Sequence, residues 1–377
     1  MGADDRKATK SFTEMQEDEV VFYCHYAGNV SCIRQIRGAA VSLILYVLAA
    51  GAVMLTFSGN LVVIISISHF KQLHTPTNIL VLSLAMADFL VGTFVMPFMV
   101  INSIESCWYF GEIFCLIYTI VLASLTSVSM MNLAVIAIDR YLAISNPMFY
   151  AIKITVRLAC VCVIVVWFTS LSYVCTMMFS NGNTEAVVGV DPCPGDCVFV
   201  LNVTWGTVDI VLSFLVPVSI MATLYAKIVI IAKRHAKAIS VQQSVLVKRK
   251  DGNMKAAKTL GIVVAVFILC WLPFYTCTLL NQFIDFSIPS VVSCAFLWLA
   301  YINSSLNPII YALFYPWFQR SPNCEAAALP LRHPRCIMQF LMKKLTDYFL
   351  KSDFYTSEIT WKCVHILPFA EQVFLFL

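Results

Sequence analysis

Charged residues are scarce in this sequence: they make up 12% of its 377 residues, while hydrophobic residues make up 60%. Soluble globular domains carry about 25% charged residues. A soluble fold is therefore excluded by composition, because so large an apolar surplus cannot be buried in a core. The apolar residues occur in blocks of about twenty, the length that crosses roughly 30 Å of hydrocarbon at about 1.5 Å per residue. The sequence predicts a membrane protein.

The sequence also lacks features that other protein classes require. It has no internal repeat, which disfavours solenoids and inverted-repeat transporters. It has no cluster of metal-ligating side chains and no nucleophile with an accompanying base, so an enzyme is not indicated. Its first 37 residues contain no basic start followed by an apolar stretch, so no cleavable signal peptide is predicted.

Seven apolar spans predict an all-α membrane protein, a bundle of seven transmembrane helices. Their approximate bounds are 38–68, 78–101, 111–139, 156–179, 199–232, 255–281 and 290–315. The loops 102–110, 180–198 and 282–289 contain no Lys or Arg, whereas the alternate loops are basic. Because basic loops stay in the cytoplasm, the N-terminus is predicted outside and the C-terminus inside.

This orientation predicts a multi-pass protein of the plasma membrane with three segments. They are an extracellular N-terminal tail (1–37), the helical bundle (38–319) and a divergent cytoplasmic tail (320–377). Two glycosylation sequons, at Asn29 and Asn202, fall on the predicted outer side. Five cysteines share that oxidising side, and at most two disulfides are expected from them. These cysteines are Cys24, Cys32, Cys115, Cys193 and Cys197.

Polar side chains inside the spans need a reason, since a mid-span Asp costs about 2.5–3.5 kcal/mol on insertion scales. Hydrogen bonding between helices is the simplest reason, but for a buried Asp a functional role is favoured. One polar set predicts an ion site, because carboxylate, amide and hydroxyl oxygens suit a hard monovalent cation such as sodium, or a water cluster. Its members are Asn60, Asp88, Ser129, Asn303, Ser304 and Asn307. No cofactor is predicted apart from this sodium ion.

A series of motifs occurs in order along the spans. The motifs are Asn60, Asp88, Asp139-Arg140-Tyr141, Trp167, Pro217, Tyr225, Phe267-Ile-Leu-Cys-Trp271-Leu-Pro273 and Asn307-Pro308-Ile-Ile-Tyr311. Together they resemble the rhodopsin-like (class A) G-protein-coupled receptors over about residues 38–319. The stretch 303–318, Lys255-Ala-Ala-Lys-Thr-Leu and the loop Cys193-Pro-Gly-Asp-Cys197 are similar to the trace amine-associated receptors of that family.

The resemblance implies a switch in the sixth helix. Pro273 removes a backbone hydrogen bond and permits a kink. Phe267 and Trp271 are expected to repack when ligand binds, which opens a cytoplasmic cleft for a heterotrimeric G protein, expected to be the cyclic-AMP-stimulating class. The residues implied at that cleft are Asp139, Arg140, Tyr141, Tyr225 and Tyr311.

The same resemblance implies the disulfide pairing on the outer side. Cys115 is expected to pair with either Cys193 or Cys197, which fixes the long outer loop over the pocket. The other member of that pair is expected to bond with Cys24 or Cys32.

Receptors for amines normally carry an Asp on the third helix, eighteen residues before the Arg of Asp-Arg-Tyr. Here Leu122 occupies that position, and a carboxylate at pocket depth stands instead at Asp209 on the fifth span. Some trace amine-associated receptors, especially in fish, resemble this arrangement. We therefore predict an olfactory or trace amine, a monoamine rather than a diamine, bound through Asp209. Further pocket residues are expected to be Leu122, Trp271, Phe274, Tyr275, Trp298 and Tyr301. The rings of Phe274, Tyr275, Trp298 and Tyr301 are expected to add cation–π attraction.

Alternatives remain at this stage. Asp209 can instead form a structural hydrogen bond to Ser213, Thr207 or a neighbouring helix, and the ligand is then neutral or a lipid. A channel or transporter would place Asp88 and Asp209 on an ion path. A light-sensing opsin is excluded, because the span 290–315 has no Lys to form a Schiff base.

Overall fold

The computed structural model describes residues 24, 32, 37–180, 197, 203–239, 246–283 and 288–314. Within the fifth to seventh helices, the side chains at 203, 232–239, 246–258, 260, 281–283, 290 and 312–314 are not described. The predicted sites Asn29, Cys193 and Asn202 and the tail 320–377 lie outside the described residues.

Seven long helices follow one another along the described chain, which confirms the predicted fold class. They are α1 (Ala39–His69), α2 (Pro76–Glu105), α3 (Glu112–Ser145), α4 (Val156–Phe179), α5 (203–239), α6 (Leu246–Phe283) and α7 (Ser290–Phe314). The first six each contain a segment long and apolar enough to cross a membrane. The seventh carries the buried polar side chains Asn303, Ser304, Ser305 and Asn307, which face the inside of the bundle.

Short sequence signals define several helix ends. Thr75 caps α2 by accepting a hydrogen bond from the backbone N–H of Asn78 at 3.3 Å, and Pro76 begins the helix. Thr155 caps α4 in the same way, accepting from the N–H of Leu158 at 3.2 Å. A short loop helix, Pro147–Lys153, connects α3 to α4. These caps explain why the cytoplasmic loops turn within a few residues.

The third helix ends later than predicted. Its predicted end was residue 139, but the helix continues to Ser145. Asp139 and Arg140 interrupt the apolar pattern without ending the helix, because each is satisfied by polar partners described below. The Asp-Arg-Tyr motif therefore lies inside α3 rather than at its end.

Two π-helical turns, which the sequence did not predict, interrupt α2 and α5. They cover Val91–Val95 and Ile210–Leu215. In the first, Gly92 permits a close approach to α1, because a Cβ there would lie 2.9 Å from Cγ2 of Thr56. Single π turns widen a helix locally and recur at functional sites. The second begins immediately after Asp209.

Close helix contacts hold the inner half of the bundle together. A Cβ added at Gly59 would lie 3.0 Å from the ring of Pro308, so α1 and α7 are nearly in backbone contact. The indole N–H of Trp167 on α4 donates to the hydroxyl of Ser83 on α2 at 2.9 Å. These contacts surround a core cluster that contains Phe267, Trp271, Tyr275, Ile310 and Tyr311.

Disulfides close the outer end and correct the predicted pairing. Cys115 pairs with Cys197, one of the two expected partners. Cys24 pairs with Cys107, which the sequence analysis overlooked, so Cys24 is not the partner of the outer loop. Cys32 is also disulfide-bonded, so with Cys107 included the outer side holds more than the two disulfides expected from the five predicted cysteines.

The pairing of Cys24 follows from where the N-terminal tail meets α2. Arg37, just before α1, donates from Nη1 to the carbonyl oxygen of Ser103 at 2.9 Å and to that of Ile104. A cation near carbonyls at a helix C-terminus is stabilising. Cys107 follows two residues after the end of this helix, so the tail and Cys107 are brought to the same place.

Candidate functional site

The carboxylate of Asp209 is held between two helices near the outer end of the bundle. Its Oδ1 accepts a hydrogen bond from the hydroxyl of Ser213, one turn later on α5, at 2.7 Å. The same oxygen accepts from the hydroxyl of Tyr173 on α4 at 2.9 Å. Oδ2 accepts no hydrogen bond from a described residue, and the side chain is partly exposed. One oxygen is thus saturated and the other is available.

The surroundings of Asp209 contain no compensating charge in the described part of the chain. No described Lys, Arg or His places a nitrogen within 4.0 Å of its carboxylate. Both of its partners are neutral hydroxyl groups. A carboxylate in the membrane without an internal cation is an uncompensated negative charge.

An aromatic series leads from the π turn of α5 to the switch region of α6. Phe214, next to Ser213, stacks on Tyr275 with ring centroids 4.3 Å apart and planes 20° apart. Tyr275 lies 5.9 Å from Trp271, which lies 5.8 Å from Phe267. Stacked rings pack with little freedom, so a displacement at one ring must be accommodated by the next.

The remaining predicted pocket residues fall into two groups. Phe274 and Tyr301 lie 6.1 and 6.3 Å from Trp271, in edge-to-face contact, and so join the aromatic series. Trp298 instead donates its indole N–H to Ser103 of α2 at 3.1 Å. Leu122 packs against the apolar cluster that contains Tyr301 of α7, Leu125 of α3 and Val166 of α4. Leu122 therefore supplies an apolar side chain at this level of α3.

Deeper in the bundle, Asp88 is fully buried and joins α2 to α7. Its Oδ1 accepts from the hydroxyl of Ser304 at 2.8 Å, and its Oδ2 accepts from Nδ2 of Asn307 at 2.7 Å. Nδ2 of Asn60 donates to the carbonyl oxygen of Ser304 at 3.0 Å, which adds α1 to the network. The structure therefore brings together Asp88, Asn60, Ser304 and Asn307.

The other predicted ion ligands are buried but do not bond to Asp88. Ser129 and Asn303 are 7% and 2% exposed. The amide oxygens of Asn60, Asn303 and Asn307 accept no hydrogen bond in the structure. Buried acceptors without donors are the groups that a cation or ordered water satisfies. The donor set, one carboxylate with neutral oxygens, fits sodium.

At the cytoplasmic end, Asp139 and Arg140 form a buried ion pair. Nη2 of Arg140 lies 2.5 Å from Oδ2 of Asp139, and both side chains are 6% exposed overall. Thr77 of α2 donates to the same oxygen at 2.7 Å. Tyr150 of the loop helix donates to Oδ1 of Asp139 at 2.9 Å and accepts from Nη2 of Arg140 at 3.1 Å. Burial raises the pKa of Tyr150, so its hydroxyl stays protonated as a donor.

The other predicted coupling residues line the contact of α5, α6 and α7. Phe267 and Tyr311 are each 1% exposed in the core cluster. The ring of Tyr225 on α5 faces Gly261 of α6, where an added Cβ would lie 3.3 Å away. Pro273 lies inside α6, where it removes one backbone hydrogen bond.

Tyr141 stands apart from that contact. It packs near Ile144 and Ile228, and the ammonium of Lys227 lies 5.9 Å from its ring centre. It therefore joins α3 to α5.

Sequence reasoning missed three residues that hold the site together. Each donates a hydrogen bond from its hydroxyl group to an aspartate on another helix. They are Tyr173, Thr77 and Tyr150. No local pattern marks them, because a Tyr or Thr inside or beside an apolar span is common. Only the packing of α4, α2 and the loop helix brings them to their partners.

Comparison with known proteins agrees with the geometry. The sequence profile of the family "7 transmembrane receptor (rhodopsin family)" matches residues 59–311. Trace amine-associated receptor 13c of Danio rerio is 44% identical over 314 residues, which are 81% of this chain and 92% of that protein.

Two mammalian relatives are similar over the same extent. Trace amine-associated receptor 4 of Mus musculus is 41% identical over 312 residues, 80% of this chain and 90% of that protein. Trace amine-associated receptor 2 of Homo sapiens is 40% identical over 313 residues, 82% of this chain and 89% of that protein. The likeness therefore extends over nearly the full length of each relative.

Proposed function

This chain belongs to the rhodopsin family of seven-transmembrane receptors and, within it, to the trace amine-associated receptors, and we propose that Asp209 binds the ammonium group of a small amine. The family gives the coarse function: a multi-pass receptor of the plasma membrane that responds to a small molecule and engages a G protein, and not an enzyme. The amine, its contact with Asp209 and the class of G protein are the proposal.

One observation carries the proposal: the carboxylate of Asp209 has neutral partners and no cation among the described residues. A negative charge inside hydrocarbon is unfavourable by about 2.5–3.5 kcal/mol on insertion scales. A ligand that brings a positive charge to Oδ2 removes that cost and gains a charge-assisted hydrogen bond. A small amine carries that charge at neutral pH.

The walls around this carboxylate also favour an amine. Because Leu122 is uncharged, α3 offers no carboxylate at this position to hold a ligand. A single ammonium group is therefore best placed toward α5. Tyr275 and Phe274 offer aromatic faces on the adjacent α6, where a partly desolvated cation gains further attraction. A monoamine satisfies this arrangement, while the second charge of a diamine would face Leu122.

The aromatic series supplies a physical link from the ligand to the G-protein side. A cation on Asp209 acts on the π turn that also carries Phe214, and Phe214 stacks on Tyr275. A shift of Tyr275 requires Trp271 and Phe267 to repack beneath it. Pro273 lets the inner half of α6 swing in response, so ligand binding favours the open packing over the closed one.

At the inner end, the open packing makes Arg140 accessible to a G protein of the cyclic-AMP-stimulating class. In the closed packing the guanidinium is engaged by Asp139 and by the hydroxyl of Tyr150. Movement of α6 away from Tyr225 would widen the cleft between α3, α5 and α6. Arg140 can then exchange its intramolecular partners for those of the G protein.

Asp88 is proposed to bind a sodium ion in the closed packing. Its carboxylate, with the amide oxygens of Asn303 and Asn307, offers the hard oxygen donors that sodium prefers. A sodium ion there would hold α2 and α7 together and would therefore oppose activation.

A receptor for a neutral or lipid ligand is the second candidate, and the bonds of Oδ1 favour it. Ser213 and Tyr173 satisfy this oxygen in the manner of a structural aspartate. On this alternative, Asp209 only joins α4 to α5, and the ligand binds the aromatic series without an ion pair.

The two candidates differ in their response to Asp209→Asn, which removes the charge and keeps an oxygen for Tyr173 and Ser213. We expect this variant to raise the EC50 of activating monoamines by about 30-fold or more, because loss of a desolvated charge pair costs about 2–5 kcal/mol. Cyclic AMP in transfected cells, normalised to surface receptor, measures the effect across a panel of primary, secondary and tertiary amines.

Glu112→Gln is the matched control, since Glu112 is an exposed carboxylate at the outer start of α3. Its loss should leave amine potency unchanged. Equal potency of one amine on the parent and on Asp209→Asn would contradict the ion pair and favour the neutral-ligand receptor. If the unmodified receptor responds to no amine in the panel, amines are excluded as its ligand class.

A further inference from the structure

We propose that Tyr173 and Ser213 are positioning residues that occupy one oxygen of Asp209 and thereby select ammonium ligands over guanidinium ligands. This inference rests on the proposed function, because it assumes that Asp209 binds the charge of the ligand. It adds the shape of the cationic group that the site accepts.

The geometry of the two hydroxyl groups saturates Oδ1. Ser213 donates at 2.7 Å and Tyr173 at 2.9 Å, and a carboxylate oxygen has two lone pairs. The two hydroxyls are themselves 3.4 Å apart, so they approach Oδ1 as a pair. Ser213 belongs to the same helix as Asp209 and Tyr173 to the neighbouring one, so the carboxylate is held from both and cannot rotate freely.

Oδ2 is then the acceptor left for a ligand, and one acceptor suits an ammonium group. An alkylammonium ion can donate one charge-assisted N–H···O bond to Oδ2. Its remaining N–H or N–CH groups can then face the aromatic rings. The site therefore needs only one hydrogen bond from the ligand. Tyr275 and Phe274 lie on the adjoining α6 for these remaining groups.

A guanidinium ion binds this carboxylate less favourably than an ammonium ion does. Its planar fork binds a carboxylate best through two parallel N–H···O bonds, one to each oxygen. With Oδ1 already saturated, only one of these bonds can form, and the second N–H is left without an acceptor in an apolar pocket. Both ligand types carry one positive charge at pH 7, so net charge does not separate them.

The test compares an amine with a guanidine of the same carbon skeleton. The first pair is 2-phenylethylamine and 2-phenylethylguanidine, and the second pair is isoamylamine and isoamylguanidine. Cyclic AMP concentration–response curves are recorded for the parent, Tyr173→Phe, Ser213→Ala and the double variant, each with surface receptor measured by an epitope tag. The readout is the ratio of guanidine EC50 to amine EC50 within one variant, which does not depend on receptor number.

We expect the parent to favour each amine by about tenfold or more, the value of one lost hydrogen bond. In the double variant Oδ1 is free, so the ratio should fall by about tenfold, with intermediate ratios for the single variants. The single variants keep the proposal testable where the double variant fails to reach the surface.

Two matched controls remove hydroxyls from the same helices without touching Asp209. Thr169→Val on α4 and Ser219→Ala on α5 lose bonds only to the backbone oxygens of Val165 and Val166, and of Leu215. Their ratios should equal that of the parent.

The outcomes separate this proposal from the one on which it rests. A ratio in the double variant within about threefold of the parent, while Asp209→Asn still abolishes the amine response, overturns the selection and leaves the proposed function standing. An equal loss of potency for both ligands in each pair overturns it too. If Asp209→Asn leaves the amine response intact, or if the parent responds to no amine in the panel, the proposed function has failed as well.

Discussion

Asp139 at the cytoplasmic end and Asp209 at the outer end share one local arrangement and differ in charge. Each accepts a hydrogen bond of 2.9 Å at Oδ1 from a tyrosine on another helix, Tyr150 or Tyr173. Asp139 also has an internal cation, because Arg140 lies 2.5 Å from its Oδ2. Asp209 has no such partner in the described part of the chain. The inner carboxylate is neutralised by the protein, whereas the outer one has only neutral partners among the described residues.

The presence or absence of an internal cation distinguishes an aspartate that the protein neutralises from one that it does not. It does so better than burial or position does. Asp88 shows why, since it is fully buried and still has only neutral donors, Ser304 and Asn307. In having only neutral partners among the described residues, it resembles Asp209. The two aspartates differ in accessibility, because Asp209 is partly exposed whereas Asp88 is fully buried.

The comparison predicts that two equivalent truncations differ in their effect on stability. Asp139→Ala removes a salt bridge from a buried guanidinium and should lower the free energy of unfolding by about 3 kcal/mol. Asp209→Ala removes an uncompensated carboxylate, and the two hydroxyls left behind, 3.4 Å apart, can bond to each other. Its stability should stay within about 1 kcal/mol of the parent.

Thermal unfolding of the detergent-solubilised receptor, followed by a thiol-reactive dye, measures both variants. Asp139→Asn serves as the control for shape, because it keeps the hydrogen-bond acceptor for Thr77 and loses only the charge. A larger loss of stability for Asp209→Ala than for Asp139→Ala would contradict the assignment of the compensated and uncompensated sites.

A second carboxylate, placed on α3 in place of Leu122, tests whether charge on this helix determines the preference between monoamines and diamines. Leu122→Asp adds an acid on α3 to the one on α5, so each ammonium group of a diamine then has a carboxylate to bind. We expect the potency of a five-carbon diamine to rise by about tenfold relative to its monoamine analogue. Cyclic AMP concentration–response curves check this, with Leu122→Asn as the control of equal size. Equal gains for Asp and Asn would show that charge is not the cause.

The sequence predicted the class and the frame of this receptor, because hydropathy and basic loops report directly on the membrane. All seven helices lie where expected, and α4 begins and ends at the predicted residues. The bond from Ser213 to Asp209 corresponds to one of the alternatives considered for Asp209, a structural hydrogen bond within α5. The motif residues Asp88, Ser304 and Asn307 also meet.

What sequence could not supply depends on contacts between helices. Tyr173 reaches Asp209 only because of how α4 packs on α5, and apolar periodicity does not fix that rotation. The π turns at 91–95 and 210–215 change which side chains face inward. Each ends two residues before a proline, Pro97 or Pro217, but a proline in an apolar span does not by itself specify a π turn. Cys107 was missed because spacing does not determine disulfide partners.

The smallest expected effect concerns the inner tyrosine, whose role can be separated from that of the ion pair. Tyr150→Phe removes the hydroxyl that donates to Asp139 and accepts from Arg140, but keeps the ring, which lies 5.9 Å from the guanidinium carbon. One hydrogen bond contributes about 0.5–1.5 kcal/mol, so the closed packing should weaken and ligand-free signalling should rise by about two- to tenfold. Ligand-free cyclic AMP per surface receptor measures it, and Phe149→Leu, at the exposed neighbouring position, is the control. An unchanged basal level in Tyr150→Phe would mean that Asp139 and Thr77 hold Arg140 without the tyrosine hydroxyl, and that such a hydroxyl matters only for the uncompensated acid at the outer end.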